Sequence, residues 1–291
     1  MHRVEIEDGR ATGVTYMQDN KLHTVKAAKE VIVCGGAVES PRILMLSGVG
    51  PKAELEKVGI KVKVDLPGVG QNLHDHTLCP VIYEGAKEIP ATDDAITALH
   101  GHCFIKSDPA LPGPDMQPLF FNIPYYAPEQ EKPTMNAFTL TASGVRPTSR
   151  GQITLNSADP DDVLEIDPQV LQTQYDVDIL VKSIKQMREI ARQPALDEWR
   201  GREIYPGEDI QTDEQLADYA RSAVVSYHHQ NGTCKMGVDD MAVVDPALKV
   251  RGVEGLRVVD ASIFPFVMAG NTNAPVIMAA EKAADIIKKT I

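Results

Sequence analysis

Two histidines stand side by side in the run Ser226-Tyr227-His228-His229-Gln230-Asn231-Gly232-Thr233-Cys234-Lys235-Met236-Gly237. The imidazole group titrates near pH 6.5, so histidine is the natural general base at neutral pH. The neighbouring Gly232 and Thr233 let the backbone approach something flat or bulky. Further on come Val259-Asp260-Ala261-Ser262 and then Gly270-Asn271-Thr272-Asn273-Ala274-Pro275. The two asparagines of that loop offer amide donors and acceptors to a ligand just before a helix. The chemistry on offer is proton transfer beside a polar clamp. A polar turn carrying solvated histidines is the competing reading, and this run by itself does not choose between them.

The elements that must position these residues can be read in order. Val4–Ile6, Asp8-Gly9 and Ala11–Met17 predict a hairpin, because Asp-Gly between alternating apolar residues is a strong turn signal. Thr24–Ala28 continues the pattern. Glu30–Cys34 is a short apolar run closed by Gly35-Gly36, which suits a buried strand ending in a tight turn. Ser40 then reads as an N-cap, Pro41 as the first helical residue and Gly48 as the stop. A strand, a glycine turn and a helix N-terminus make an anion or cofactor contact or an ordinary connection. A second short helix is expected over Pro51–Val58. In Leu66–His76, Gly68-x-Gly70 is not a dinucleotide fingerprint, because no third glycine falls at Leu73. His74 and His76 flank Asp75, but no further ligand cluster completes a metal site, so a structural loop between domains is expected there.

The middle is less distinctive. Pro109–Pro118 must be loop. Leu119–Ile123, Ala137–Ala142 and Gln152–Leu155 read as strands. Asp176–Ala191 has helical apolar spacing, and Thr212-Asp213-Glu214-Gln215 opens a capped helix. Val243–Asp245 and Leu256–Asp260 read as strands, and Ala274–Ile291 as a closing helix. Strands followed by helices suggest a middle domain built on an antiparallel sheet.

The chain has 291 residues, 43% hydrophobic and 24% charged, which is a globular profile with room for a sizeable core. A net charge of -12 argues against a nucleic-acid or anionic-membrane surface. Four cysteines without a Cys-x-x-Cys pair suggest neither a disulfide framework nor a zinc site. No apolar run approaches a membrane span, and no signal peptide opens the chain, so a cytoplasmic protein is expected.

Taken together, the motifs resemble the glucose–methanol–choline (GMC) oxidoreductases, a family of FAD-dependent alcohol oxidases and dehydrogenases. The C-terminal block of that family runs roughly Tyr-His-Pro-Val-Gly-Thr-Cys-x-Met-Gly, Val-x-Asp-Ala-Ser and Gly-Asn-x-Asn-x-Pro, and this chain has all three parts in order. It departs at Gln230 and Asn231, where Pro and a small apolar residue are usual, and at His228, often Tyr. Gly35–Gly50 matches the family's second signature, and Leu66–His76 and Arg146–Leu155 match two further elements. The resemblance implies oxidation of an alcohol to a carbonyl. His229 takes the position of the catalytic base and Asn271 that of a second residue on the substrate oxygen, with hydride passing to flavin N5. Gly35, Gly36, Asp260, Ala261, Thr272 and Pro275 fall at cofactor-contacting positions. His228 is either a second polar wall of the pocket or, the preferred reading, a buried structural histidine. The resemblance also leaves room for an FAD-containing lyase on the same scaffold or a non-catalytic remnant.

The implied fold class is α/β (α+β): a partial FAD-binding domain over residues 1–78 and 238–291, with a substrate domain over 79–237. The family's Gly-x-Gly-x-x-Gly unit, which holds the ADP half of FAD, is not found in residues 1–291. The chain is then expected to be a fragment, a truncated gene product or one subunit of a split enzyme, with a polypeptide carrying that half as its partner, alongside a small-molecule alcohol substrate.

Overall fold

The computed structural model describes residues 1–90 and 98–290, and they form two compact units. The first holds Met1–His74, Arg150–Val170 and His229–Ile291; the second holds Asp75–Ser149 and Leu171–His228. Five helices are present among the described residues: α1 (Gly36–Leu46), α2 (Lys52–Lys57), α3 (Gln174–Ala191), α4 (Asp213–Ala223) and α5 (Asn273–Lys288). None is long and apolar enough to cross a membrane. Ile291, expected to end the last helix, lies outside the described residues.

The first unit opens with the expected hairpin. Arg3–Glu7 pairs antiparallel with Arg10–Gln18, and Asp8 and Gly9 turn between them at φ 49° and 77°. Both central residues are left-handed, the twist a two-residue hairpin needs. A third strand, Lys21–Lys26, adds through Asp19 and Asn20, also left-handed. Val31–Val33 then pairs in parallel with Leu256–Val258, near the far end of the chain. Val31, Val33, Leu256 and Val258 are buried with Ile43, Leu44 and Met45 of α1 in one apolar core. Arg257, on the same strand, is also buried and makes two hydrogen bonds to the Glu30 carboxylate.

The unit boundaries differ from the expected ones. The hairpin Gln152–Leu155/Leu164–Asp167 belongs to the first unit, not to the middle segment. Its backbone is tied to the Leu66–His74 loop: Gly151 exchanges two hydrogen bonds with Leu73, and Ile153 N–H donates to Gly70. Residues from His229 onward join the first unit as well, and Asp75 onward the second. Two other expectations fail locally. Val243–Asp245 forms only isolated bridges through Val244, because its backbone bonds are shared between Lys235 and Gly237 on one side and Lys249 and Arg251 on the other rather than with one partner strand. Helix α1 begins at Gly36 rather than at Ser40-Pro41, with Gly35 as N-cap.

The second unit is an antiparallel sheet in the order Arg200–Tyr205, Thr77–Gly85, Ala137–Gly144, Leu119–Phe121, Leu99–His102, with Val225–Ser226 also on Thr77–Gly85. The two central strands are buried almost throughout: Thr77–Gly85 is a largely apolar run, whereas in Ala137–Gly144 Phe138, Leu140 and Ala142 alternate with buried Thr139, Thr141 and Ser143. Helix α3 packs on this sheet and α4 packs on α3. Thr212 and Gln215 cap α4 reciprocally, as their spacing predicts. Arg188 of α3 is buried against Glu203 of the sheet.

Candidate functional site

The parallel pair Val31–Val33/Leu256–Val258 sets the site. Both strands end on the same side, and both are followed there by the segments singled out in the sequence: Gly35-Gly36 into α1, and Asp260–Ser262. Ligands of open α/β sheets bind outside the carboxyl ends of parallel strands.

Asp260 joins those two segments. One carboxylate oxygen accepts from Gly36 N–H (3.0 Å) and the Ser40 hydroxyl (2.5 Å). The other accepts from Ser262 N–H (2.8 Å) and its hydroxyl (2.6 Å). Ser40 Oγ in turn accepts from Gly35 N–H at 2.9 Å. This explains why Ser40 is not an N-cap: it lies one turn inside the helix and bonds residues far apart in sequence. It also alters the reading of the glycine turn. The helix N-terminus already holds a carboxylate on its first amide, Gly36 N–H, so the positive end of the dipole is met from within the protein. Gly36 itself, at φ 80°, would have no atom within 4 Å of an added Cβ.

Pro41 sits inside α1 and cannot donate to the carbonyl of Ala37. That carbonyl accepts instead from the Thr233 hydroxyl at 2.6 Å. The helix defect is therefore the attachment point of the histidine loop. The loop is also laced to the segment after Asp260 by a ladder of alternate amides. Gly232, Cys234 and Met236 donate to Ala261, Ser262 and Ile263 at 3.3, 2.9 and 2.7 Å.

His229 is buried at the mouth of this loop. Asn271 Nδ2 lies 3.5 Å from His229 Nε2, at the outer edge of hydrogen-bond range. Two of the expected residues, from loops forty-two positions apart, thus meet through their polar side-chain atoms. Thr272 is the N-cap residue of α5 and makes no side-chain cap, and Pro275 stands in the first turn, where its missing N–H is tolerated. First-turn amides of α5 are thus left for an acceptor. His228 is exposed at φ 59°, not buried: the left-handed backbone at this position turns its side chain outward.

Three residues outside the expected set build the support. Asn72, at φ 63°, donates to the carbonyls of Gly232 (3.1 Å) and Pro265 (3.3 Å) and accepts from Arg150 Nε (3.1 Å). His74 exchanges two backbone hydrogen bonds with Asn231, and its Nδ1 faces the carbonyl of Asn72 at 2.6 Å. Burial, with help from the Arg150 charge, lowers its pKa to about 4. The neutral ring then carries its proton on Nδ1, and Nε2 is buried without a partner. An Asn after a glycine turn was the available signal for Asn72; nothing local marked His74 as more than half of a His-x-His pair. No group of three or more His, Cys, Asp or Glu able to hold a metal occurs among the described residues.

Two sequence profiles match this chain, over residues 1–78 and 147–280, and both are described as GMC oxidoreductase. The chain belongs to the GMC oxidoreductase family. Human mitochondrial choline dehydrogenase is 42% identical over 98% of the chain and 52% of its own length. The oxygen-dependent choline dehydrogenase of Burkholderia multivorans is 39% identical, over 98% of the chain and 54% of its length. Among solved structures, pyridoxine 4-oxidase from Mesorbium loti superposes with a TM-score of 0.92 at 30% identity, covering 98% of this chain and 56% of that one. Formate oxidase from Aspergillus oryzae gives 0.90 at 26%, covering 99% and 59%. The α/β fold is thus that of known GMC structures. The chain spans about half the length of the curated relatives it matches.

Proposed function

We propose that these residues are the part of a GMC enzyme that oxidises an alcohol to a carbonyl with FAD. The observation that carries this is the approach of His229 Nε2 and Asn271 Nδ2, at 3.5 Å, from two loops forty-two positions apart. One hydroxyl placed against both would give its proton to the imidazole. Asn271 would donate to the same oxygen as negative charge builds on it, where a fixed donor is worth most. Bound FAD supplies the hydride acceptor, at N5 of its ring.

The residues fit the flavin end of that cofactor. Gly36 faces open space that any side chain would fill, and the α5 N-terminus beside Asn271 has uncapped amides for an electron-rich ring edge. Asp260 has both oxygens committed to Gly36, Ser40 and Ser262, so contact there falls to backbone atoms of Asp260 and Ala261. The turn at Gly35-Gly36 does not suit a phosphate, since a carboxylate already sits on it. On this reading the unit with His229 is the FAD-binding part and the unit built on the antiparallel sheet is the substrate domain. Choline is the first alcohol to test, because relatives at 42% and 39% identity are choline dehydrogenases.

The test is anaerobic flavin reduction in the full-length protein. His229→Ala should slow reduction by the ~10²–10⁴-fold expected for loss of a general base, and exposed His228→Ala by far less. Equal losses would mean that the wrong histidine carries the role. Asn271→Ala should slow reduction while leaving the flavin bound. An alcohol converted without bleaching the flavin would point to a lyase instead.

A further inference from the structure

The side chain of Asn231 is fully buried, and its two polar atoms are treated unequally. Nδ2 donates to the backbone carbonyl of His229 at 2.8 Å. Oδ1 is buried with no hydrogen-bond partner. A bare buried acceptor is costly, so an apolar side chain of similar volume would be easier to bury here. What the amide contributes locally is its bond to His229.

The donor stands on an anchored backbone. Asn231 exchanges hydrogen bonds with His74 at 3.0 and 3.2 Å, and the next residue is held on both sides, Gly232 N–H by Ala261 and its carbonyl by Asn72. Pinning the His229 carbonyl to that anchor restrains ψ of His229 and with it the direction of the Cα–Cβ bond. We propose that Asn231 is a positioning residue for His229: its carboxamide N–H fixes the peptide plane that aims the imidazole at Asn271. The proposal rests on the reading of His229 as the base.

Asn231→Leu in the full-length protein keeps the volume and removes the donor; Asn231→Ala removes the donor without adding bulk, and reads the same point if leucine is not accommodated. Two measurements separate positioning from mere structure. The first follows the His229 ring by ¹⁵N–¹H NMR, its signals identified by their loss in His229→Gln. The second compares the limiting rate of flavin reduction with the substrate dissociation constant. In both variants, with the fold retained by circular dichroism, the ring signals should shift or broaden. The limiting rate should fall at least ~10-fold, because a misplacement of about 1 Å can cost 10²-fold, while substrate affinity stays unchanged. Wild-type ring signals together with a wild-type limiting rate in both variants would overturn the proposal. A fully active His229→Gln would instead overturn the role of His229 as base, leaving the NMR response to judge Asn231 independently.

Discussion

Replacing Gly232 by alanine probes the loop at its tightest point. Its φ is 93°, a region that L side chains rarely adopt, and an added Cβ would stand 2.4 Å from His74 Cε1, 2.5 Å from the Asn72 carbonyl oxygen and 2.7 Å from His74 Nδ1. None of these can step aside easily. The Asn72 oxygen is backbone, and the His74 ring is buried with Nδ1 held on that same oxygen. Gly9 supplies the control: its φ is 77°, yet nothing lies within 4 Å of an added Cβ. Left-handed backbone costs a non-glycine residue about 1–2 kcal/mol, and this should be the whole effect of Gly9→Ala. Gly232→Ala adds overpacking of about 1–3 kcal/mol, so its loss should reach about 2–5 kcal/mol. Both glycines lie in the first unit, so one unfolding transition reports on both. Urea unfolding at constant m-value measures the difference. A Gly232→Ala protein no less stable than Gly9→Ala would mean that the backbone does not approach His74 this closely, and the support proposed for His229 would fall with it.

Two further outcomes are expected. Gly36→Ala meets no steric conflict, so it should lose about the same 1–2 kcal/mol as Gly9→Ala but markedly weaken flavin retention, read from absorbance per protein; undiminished flavin would remove Gly36 from the cofactor site. His74 has a folded-state pKa of about 4, against about 6.5 for an unperturbed histidine, so as pH falls the unfolded chain takes up the proton first. Its contribution is therefore complete above pH ~6.5 and is lost as pH drops toward 4, about 3 kcal/mol across that window. Urea unfolding of wild type and His74→Gln at several pH values should show this slope only in wild type, and an unchanged slope in the variant would refute it.

The local elements were legible because their signals are local. Asp8-Gly9 demanded a left-handed turn, and Thr212 with Gln215 spelled a capping box; both formed where the residues said. Two of the failures share one cause, which is that a long-range partner took a group the local pattern had assigned elsewhere. Ser40 reads as an N-cap, but Asp260, 220 positions away, takes its hydroxyl and the helix starts a turn earlier. Residues 150–170 read as part of the middle segment, but Gly151 pairs with Leu73. The meeting of His229 with Asn271 was foreseen only through the resemblance to a family, since no spacing rule brings those two loops together.

Pro41 and Asp260 show how one helix can serve the site without contributing a reactive group to it. A proline in a helix interior frees one carbonyl, and a helix N-terminus leaves amides without partners. Here each defect is answered by a different C-terminal segment: the Ala37 carbonyl by Thr233, the Gly36 amide by Asp260. The histidine loop and the segment following the last parallel strand are thereby tied to adjacent residues in the first turn of α1, and to each other through the Gly232–Met236 ladder. Apolar packing alone would tolerate small slides of these loops, because it is non-directional. Buried hydrogen bonds would not, because a slide leaves each group unpaired at about 1–3 kcal/mol. A base that must reach a hydroxyl proton within hydrogen-bond distance needs that second kind of restraint. The irregular features of α1 therefore anchor the loop that carries His229 to the segment after Asp260.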